Sequence, residues 1–470
     1  MDNAGNCDTT AEELETWLSD FRGKKWRLRC LLHILNLIAK VRHMLWTLSR
    51  SHACRQVILA FFYKPPKKKR PVAGPASAAA PLEDPDEDEE DADGADSGEN
   101  AVLAQDTEAQ AAEEAAQLPA GQIAHDEAAA KTLKGRAISE MRALGVSFTD
   151  NEAKECIAIM TKVAGLARRV HDAPSTLGEA FAAILKTALV PDNRTSLSRR
   201  VATRWNSDFD CLDDHLVLQH VVETLTNRSD LKLQAYRLTS RQWDLAEELK
   251  DLLHIFVPLT KEFSKKETPL ITEVLDGLED VKAHLTLIRD SETNAKGLPA
   301  SPVVRVAAHA GLLMTKKYFS LTADECEVYK IAIVMSPDKK LHWFRRHQWS
   351  EDEVQKVRDE VVHRWVESYA PKSPAPSPAP QPAPPLANDA GRWGAMRMAQ
   401  APPLPVPAEI LDDIDRYLDT PVISKIQLDK RGGVMRYWHQ EWATTPCLAR
   451  YASDYCSAPG MSAEYTVYPS

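Results

Sequence analysis

Apolar residues recur at helical spacing over most of this chain, and the gaps between those runs set its organisation. Ile157, Met160, Val163, Ala164 and Ala167 predict a helix, ending near Arg168-Arg169, inside a helical segment spanning 131–207. Leu216, Val217, Val221, Val222 and Leu225 open a helical array over 208–370. Within it Ser240 is placed to cap a helix with Leu249, Leu252, Leu253 and Phe256 on its core face, and Val257-Pro258 interrupts that helix. Thr272 to Asp290, Pro302 to Tyr318 and Ser350 to Tyr369 predict three more. At the front, Thr9 or Thr10 can cap a helix with Leu14, Trp17 and Leu18 on one side. Lys24 to Cys30 alternates like a short strand, and Leu31 begins an apolar helix running to about Leu48. At the end, over 408–470, Leu448, Tyr451 or Ala452, and Tyr455 share one helical face. Pro446 suits its first turn, and Pro459 falls just past its end. Tyr437, Trp438 and Trp442 precede it as a dense aromatic cluster, a surface that either closes a core or binds a second chain.

Two stretches lack this periodicity, and charge separates them. The net charge of −10 over 470 residues conceals a basic front, with 14 Lys and Arg against 6 Asp and Glu in residues 1–70. Residues 71–130 hold 17 acidic residues and no Lys or Arg, so the acidity belongs to one tract and does not exclude a nucleic-acid partner. Low aromatic content and like charge predict disorder over 61–130. Its basic cluster, Lys64 to Pro71 with Lys67, Lys68, Lys69 and Arg70 at its centre, reads as a nuclear-import signal, a phosphate-contacting patch or a solvated linker. Residues 371–407, rich in Pro, Ala and Ser, predict an extended, semi-rigid linker.

The remaining chemistry is sparse. No apolar run is long enough for a transmembrane helix, and the first residues lack the regions of a signal peptide, so no membrane association is expected. The eight cysteines show no CxxC pair, which points to a reducing compartment. Cys30 and His33 supply two metal ligands at most, and core packing accounts for them as well as for His342, Trp343 and His347. No small-molecule substrate is indicated.

Several of these motifs resemble those of hAT-type transposases. The terminal region of that family runs from a short acidic Tyr-Leu segment through a Tyr-Trp or Trp-Trp pair to Pro-x-Leu-Ala-Arg-x-Ala-x-Asp-Tyr. Here Asp412 to Leu418, Tyr437-Trp438 and Pro446 to Ser462 follow that order. Asp2-Asn3-Ala4-Gly5-Asn6, the set Cys30, His33, Asn36 and Leu37, and Thr203-Arg204-Trp205-Asn206-Ser207 resemble three further family motifs.

The resemblance implies a mainly α fold: a helical array with a remnant of an RNase H-like α/β core in residues 1–60 and long disordered linkers. Residues 208–370 would be the helical domain that interrupts that core. It implies dimerisation through Tyr437, Trp438, Trp442, Leu448, Tyr451 and Tyr455, giving a homodimer. It places Trp205 near processed DNA; by their charge, Arg199, Arg200, Arg204 and Lys67 to Arg70 are candidates for residual nucleic-acid contact. A packing role for the Arg204-Trp205 pair on a neighbouring helix stands beside this one.

It also implies loss of catalysis. Asp2 falls at the family's second metal-binding acid, as a vestige, while the strand carrying the first acid and the upstream zinc finger are expected to be missing. The third acid's position falls on Thr466, a neutral hydroxyl that cannot hold a second Mg²⁺ or Mn²⁺. Glu464, two residues early, would point about 200° away on a helix. No cofactor and no enzyme activity are therefore expected. The expected function is that of a degenerate, nuclear transposase-derived protein retaining dimerisation and weak, salt-dependent DNA contact. The alternatives are a truncated form of an active transposase and a helical scaffold that binds another protein.

Overall fold

The computed structural model describes residues 5–18, 21–39, 58, 61–62, 102–103, 105, 133–190, 194–201, 205–264, 270–371 and 412–460. Asp2, Lys67 to Arg70, Arg204, Glu464, Thr466, nearly all of the 61–130 tract and the linker beyond Pro371 lie outside these residues.

Capping residues and prolines place the helix boundaries. Helix α1 spans Gly5–Trp17 and α2 spans Leu31–Ala39. Helix α3, Asp150–Asp172, starts on a capping box in which Thr149 and Glu152 satisfy each other's backbone N–H, and it ends before Pro174. Helices α4 (Glu179–Thr187), α5 (Trp205–Val217) and α6 (Gln219–Asn227) follow. Helix α7, Ser240–His254, is capped by Thr239 with Gln242, one residue before the expected Ser240. The ring of Pro258 lies four residues past His254, where it opposes that residue's carbonyl, and the chain breaks there into α8, Phe256–Phe263. Then come α9 (Val274–Asp290), α10 (Pro302–Phe319), α11 (Glu327–Val334), α12 (Lys340–Arg346) and α13 (Glu351–Ser368). The expected helices over this array are all present, within a residue or two at each end. The terminal segment holds α14 (Ile414–Asp419), α15 (Lys425–Lys430), α16 (Gly433–Glu441) and α17 (Pro446–Cys456).

The fold is mainly α, and no strand forms among the described residues. The strand expected over Lys24 to Cys30 is instead one 3₁₀ turn, Gly23–Trp26, followed by four irregular residues. A side chain replaces the missing strand partner. The Tyr329 hydroxyl accepts from the Arg29 N–H at 2.7 Å and donates to the Arg29 carbonyl at 2.9 Å. The indole N–H of Trp26 donates to Glu327, and the Arg364 guanidinium lies over the Trp26 ring. The front of the chain is thus pinned to α11 and α13.

Helix α1 also departs from expectation. It begins ahead of Thr9 and Thr10, which lie inside it, and Trp17 and Leu18 are largely exposed. Helix α2 is the hub. All its residues except His33 and Asn36 are buried, and it packs against α8 and α10. One continuous apolar core joins it to α3, α5, α7 and the terminal segment. No described helix is long and apolar enough to cross a membrane.

Candidate dimerisation segment

The terminal segment is built from four short helices, each too short to persist alone, so docking must hold them. Its first residue described, Asp412, is buried, and its carboxylate accepts from the backbone N–H of Cys447 at 2.7 Å and of Leu448 at 2.8 Å. An acid from the start of the segment therefore caps the last helix, next to Pro446 at its first position, where the helix dipole favours negative charge. Burial and this neighbouring carboxylate push the Cys447 thiol up to about 11.

The opposite charge closes α14. The amine of Lys340, on the body, donates to the carbonyl oxygens of Tyr417 (2.6 Å) and Thr420 (2.9 Å) and to the Thr420 hydroxyl (2.6 Å). It also lies 4.1 Å above the Tyr417 ring centroid. These carbonyls are the orphan acceptors of a helix C-terminus, where a cation is favoured. Burial alone pulls the Lys340 amine down to about 8.

The aromatic cluster faces inward. Trp438 is 1% exposed, and its indole N–H donates to the Met335 carbonyl at the end of α11. The Tyr417 ring packs beside it, and the Tyr417 hydroxyl donates to the Val334 carbonyl. On α17, the Tyr451 hydroxyl donates to the Val361 carbonyl, Tyr455 accepts from the Arg364 guanidinium, and Tyr369 donates to Asp454. At the last described residue of the segment, the Gly460 carbonyl accepts from the N–H of Leu31, at the start of α2. Between α15 and α16 the chain reverses through Gly432 and Gly433, with φ of 89° and 85°. A Cβ on Gly432 would meet Arg436 at 2.5 Å, so only glycine fits there.

Of the six residues expected to meet a second copy, Trp438, Leu448, Tyr451 and Tyr455 are buried against the chain's own α11 and α13. They close a core, which was the other role open to such a cluster. Tyr437 is half-buried under the Arg431 guanidinium, and Trp442 is 47% exposed. The sequence reading missed Lys340, gave no separate role to Tyr417 within the Asp412 to Leu418 motif, and passed over Val422 and Ile426, the other large apolar side chains exposed among the segment's described residues. A helix C-cap supplied from about 80 residues away leaves no local signal.

The residues assigned to nucleic acid divide in the same way. Trp205 is buried against Phe209 and Phe256, which is the packing role. Its backbone N–H meets the Asn36 side chain, so two motifs 169 residues apart come together at the start of α5. The Arg200 side chain is buried in an ion pair with Asp208, and Arg199 is half-exposed, 3.6 Å from Asp172. Trp343 is also a core residue, bonded to Asp276, while His347 stacks on it and His342 is exposed. Among the described residues no group of three or more His, Cys, Asp or Glu side chains is placed to hold a metal ion.

No curated protein matches the chain. Residues 413–467 match the family model of the hAT family C-terminal dimerisation region, which begins one residue after Asp412 and takes in all four terminal helices. That region, folded and docked as described, supports an hAT-family transposase-like protein.

Proposed function

We propose that this protein is a degenerate, transposase-derived dimer that self-associates through its terminal segment and no longer performs strand transfer. The observation carrying this reading is the dimerisation-region match over 413–467, on a segment whose four described helices are each too short to persist alone. The loss of chemistry rests on Thr466, at the position the resemblance gives to the third acid of an RNase H-like site. Two-metal phosphoryl transfer needs carboxylates on both ions, and a neutral hydroxyl supplies no charge. The Lys67 to Arg70 run supports delivery to the nucleus and a weak, non-specific hold on DNA.

Light scattering on the purified chain at tens of micromolar is expected to give the mass of two copies, and a monomer at that concentration would overturn the self-association. Mg²⁺-dependent nicking of plasmid DNA is expected to be absent. Cleavage that Asp2→Ala abolishes would restore the enzyme.

A further inference from the structure

We infer that the dimer forms by exchange: the 412–460 segment of each copy docks on the α11–α13 face of the other, making there the contacts described above. This rests on the self-association just proposed. The exchange itself is argued from three observations.

The first is how the segment spends its apolar side chains. Ile414, Tyr417, Leu428, Trp438, Leu448, Tyr451 and Tyr455 are all buried, and most of them lie against residues that precede Pro371. What remains outward is Val422, Ile426 and Trp442, at 39, 68 and 47% exposure, on separate turns of the segment. A region that pairs two copies while burying its largest side chains on a body can do both at once if the body belongs to the partner.

The second is the character of the docking contacts. Trp438 to Met335, Tyr417 to Val334, Tyr451 to Val361, Tyr455 to Arg364 and Lys340 to Thr420 all join the segment to the body. An identical body offers the same partners at no loss, which is the condition for domain exchange.

The third is the connecting length. Arg358 of α13 pairs with Asp415 near the segment's start, and Tyr369 pairs with Asp454 near its end. The eleven steps from Arg358 to Tyr369 rise about 16 Å along the helix, so a closed chain needs on the order of six extended residues to return. The sequence supplies 40 residues between Pro371 and Asp412, and 371–407 contains twelve prolines. Fully extended, 40 residues can span at most about 130 Å. A connector with several times the residues the gap needs lowers the effective concentration of the segment at its own body. The same connector spans easily to a second one.

The test uses the unaltered full chain. Lys425 of the segment lies 3.4 Å from Glu273 of the body, both partly exposed, so a zero-length carbodiimide cross-link should join them as an amide. Light and ¹⁵N-labelled chains are unfolded together, refolded and cross-linked, and the Lys425–Glu273 peptide pair is read by mass spectrometry. Native mass spectrometry of the same sample counts mixed-label dimers. Exchange predicts that mixed-label cross-linked peptides are as abundant as mixed-label dimers. Mixed-label dimers in which every such peptide carries a single label would overturn exchange and leave self-association standing. A purely monomeric sample would instead overturn the proposed dimer, and exchange with it.

Discussion

Trp205 and Trp438 are the tryptophans of two motifs, and both end in the core, yet they are held in different ways. Trp205 itself packs on Phe209 and Phe256, and the helix it opens, α5, is held by ion pairs. Arg200 pairs with the fully buried Asp208, Arg194 bonds Asp213 and Asp214, and Lys250 closes on Asp213. Around Trp438 the contacts are mostly to carbonyl oxygens at helix ends, with Lys340 and Asp412 as caps from across the contact. Breaking the first set leaves a charge buried without its partner, which is expensive. Breaking the second exchanges hydrogen bonds for others of similar worth, so long as another copy or water provides them. Burial thus makes both tryptophans structural, and the kind of contact decides which region can leave its place.

The largest expected effect separates the two directly. Trp438→Ala and Trp205→Ala should each destabilise by about 3–5 kcal/mol, as large-to-small core substitutions do. Hydrogen exchange should rise within 412–460 for the first and across α3, α5 and α8 for the second. The same spread of exchange in both variants would erase the distinction. Next, Arg200→Met should cost about 3 kcal/mol in urea unfolding, because Asp208 keeps its buried charge. Unchanged stability together with weaker retention on DNA would return Arg200 to the nucleic-acid face.

The smallest effect comes from His215 on α5, fully buried, with Nδ1 against the Cys211 carbonyl. Burial pushes its imidazole from 6.5 down to about 4, so on acidification the unfolded chain takes up the proton first. Its contribution is complete above pH 6.5 and is lost as the pH falls toward 4. Between pH 7 and 5 this amounts to about 2 kcal/mol. Urea midpoints at the two pH values should converge in His215→Gln, and an undiminished pH dependence in that variant would remove His215 as its source.

Much of the helical array was legible because its signals are local. Ser350 with Glu353, Pro302 at a first turn and Pro258 in mid-run each mark a boundary within a few residues. The front of the chain was misread where local signals competed. Alternation over Lys24 to Cys30 fits a strand, but with no neighbouring strand the Arg29 backbone is satisfied by Tyr329, 300 residues on. The candidate site was half legible. Its aromatic residues stood out in sequence, but the direction they face did not, because a cluster of Trp and Tyr reads the same whether it covers its own core or another molecule.

The residues by themselves determined a mainly α chain, the helix boundaries of its central array, the separate basic and acidic tracts, and a terminal segment of family-like order. These follow from spacing, capping and composition, which act over a few turns. Only the tertiary structure decided that Trp205 and Arg200 are internal, that Asn36 meets the start of α5, and that Lys340 and Asp412 cap helices far from them in sequence. Those outcomes depend on which surfaces meet across hundreds of residues, and burial of apolar area, the force that brings them together, carries no direction of its own.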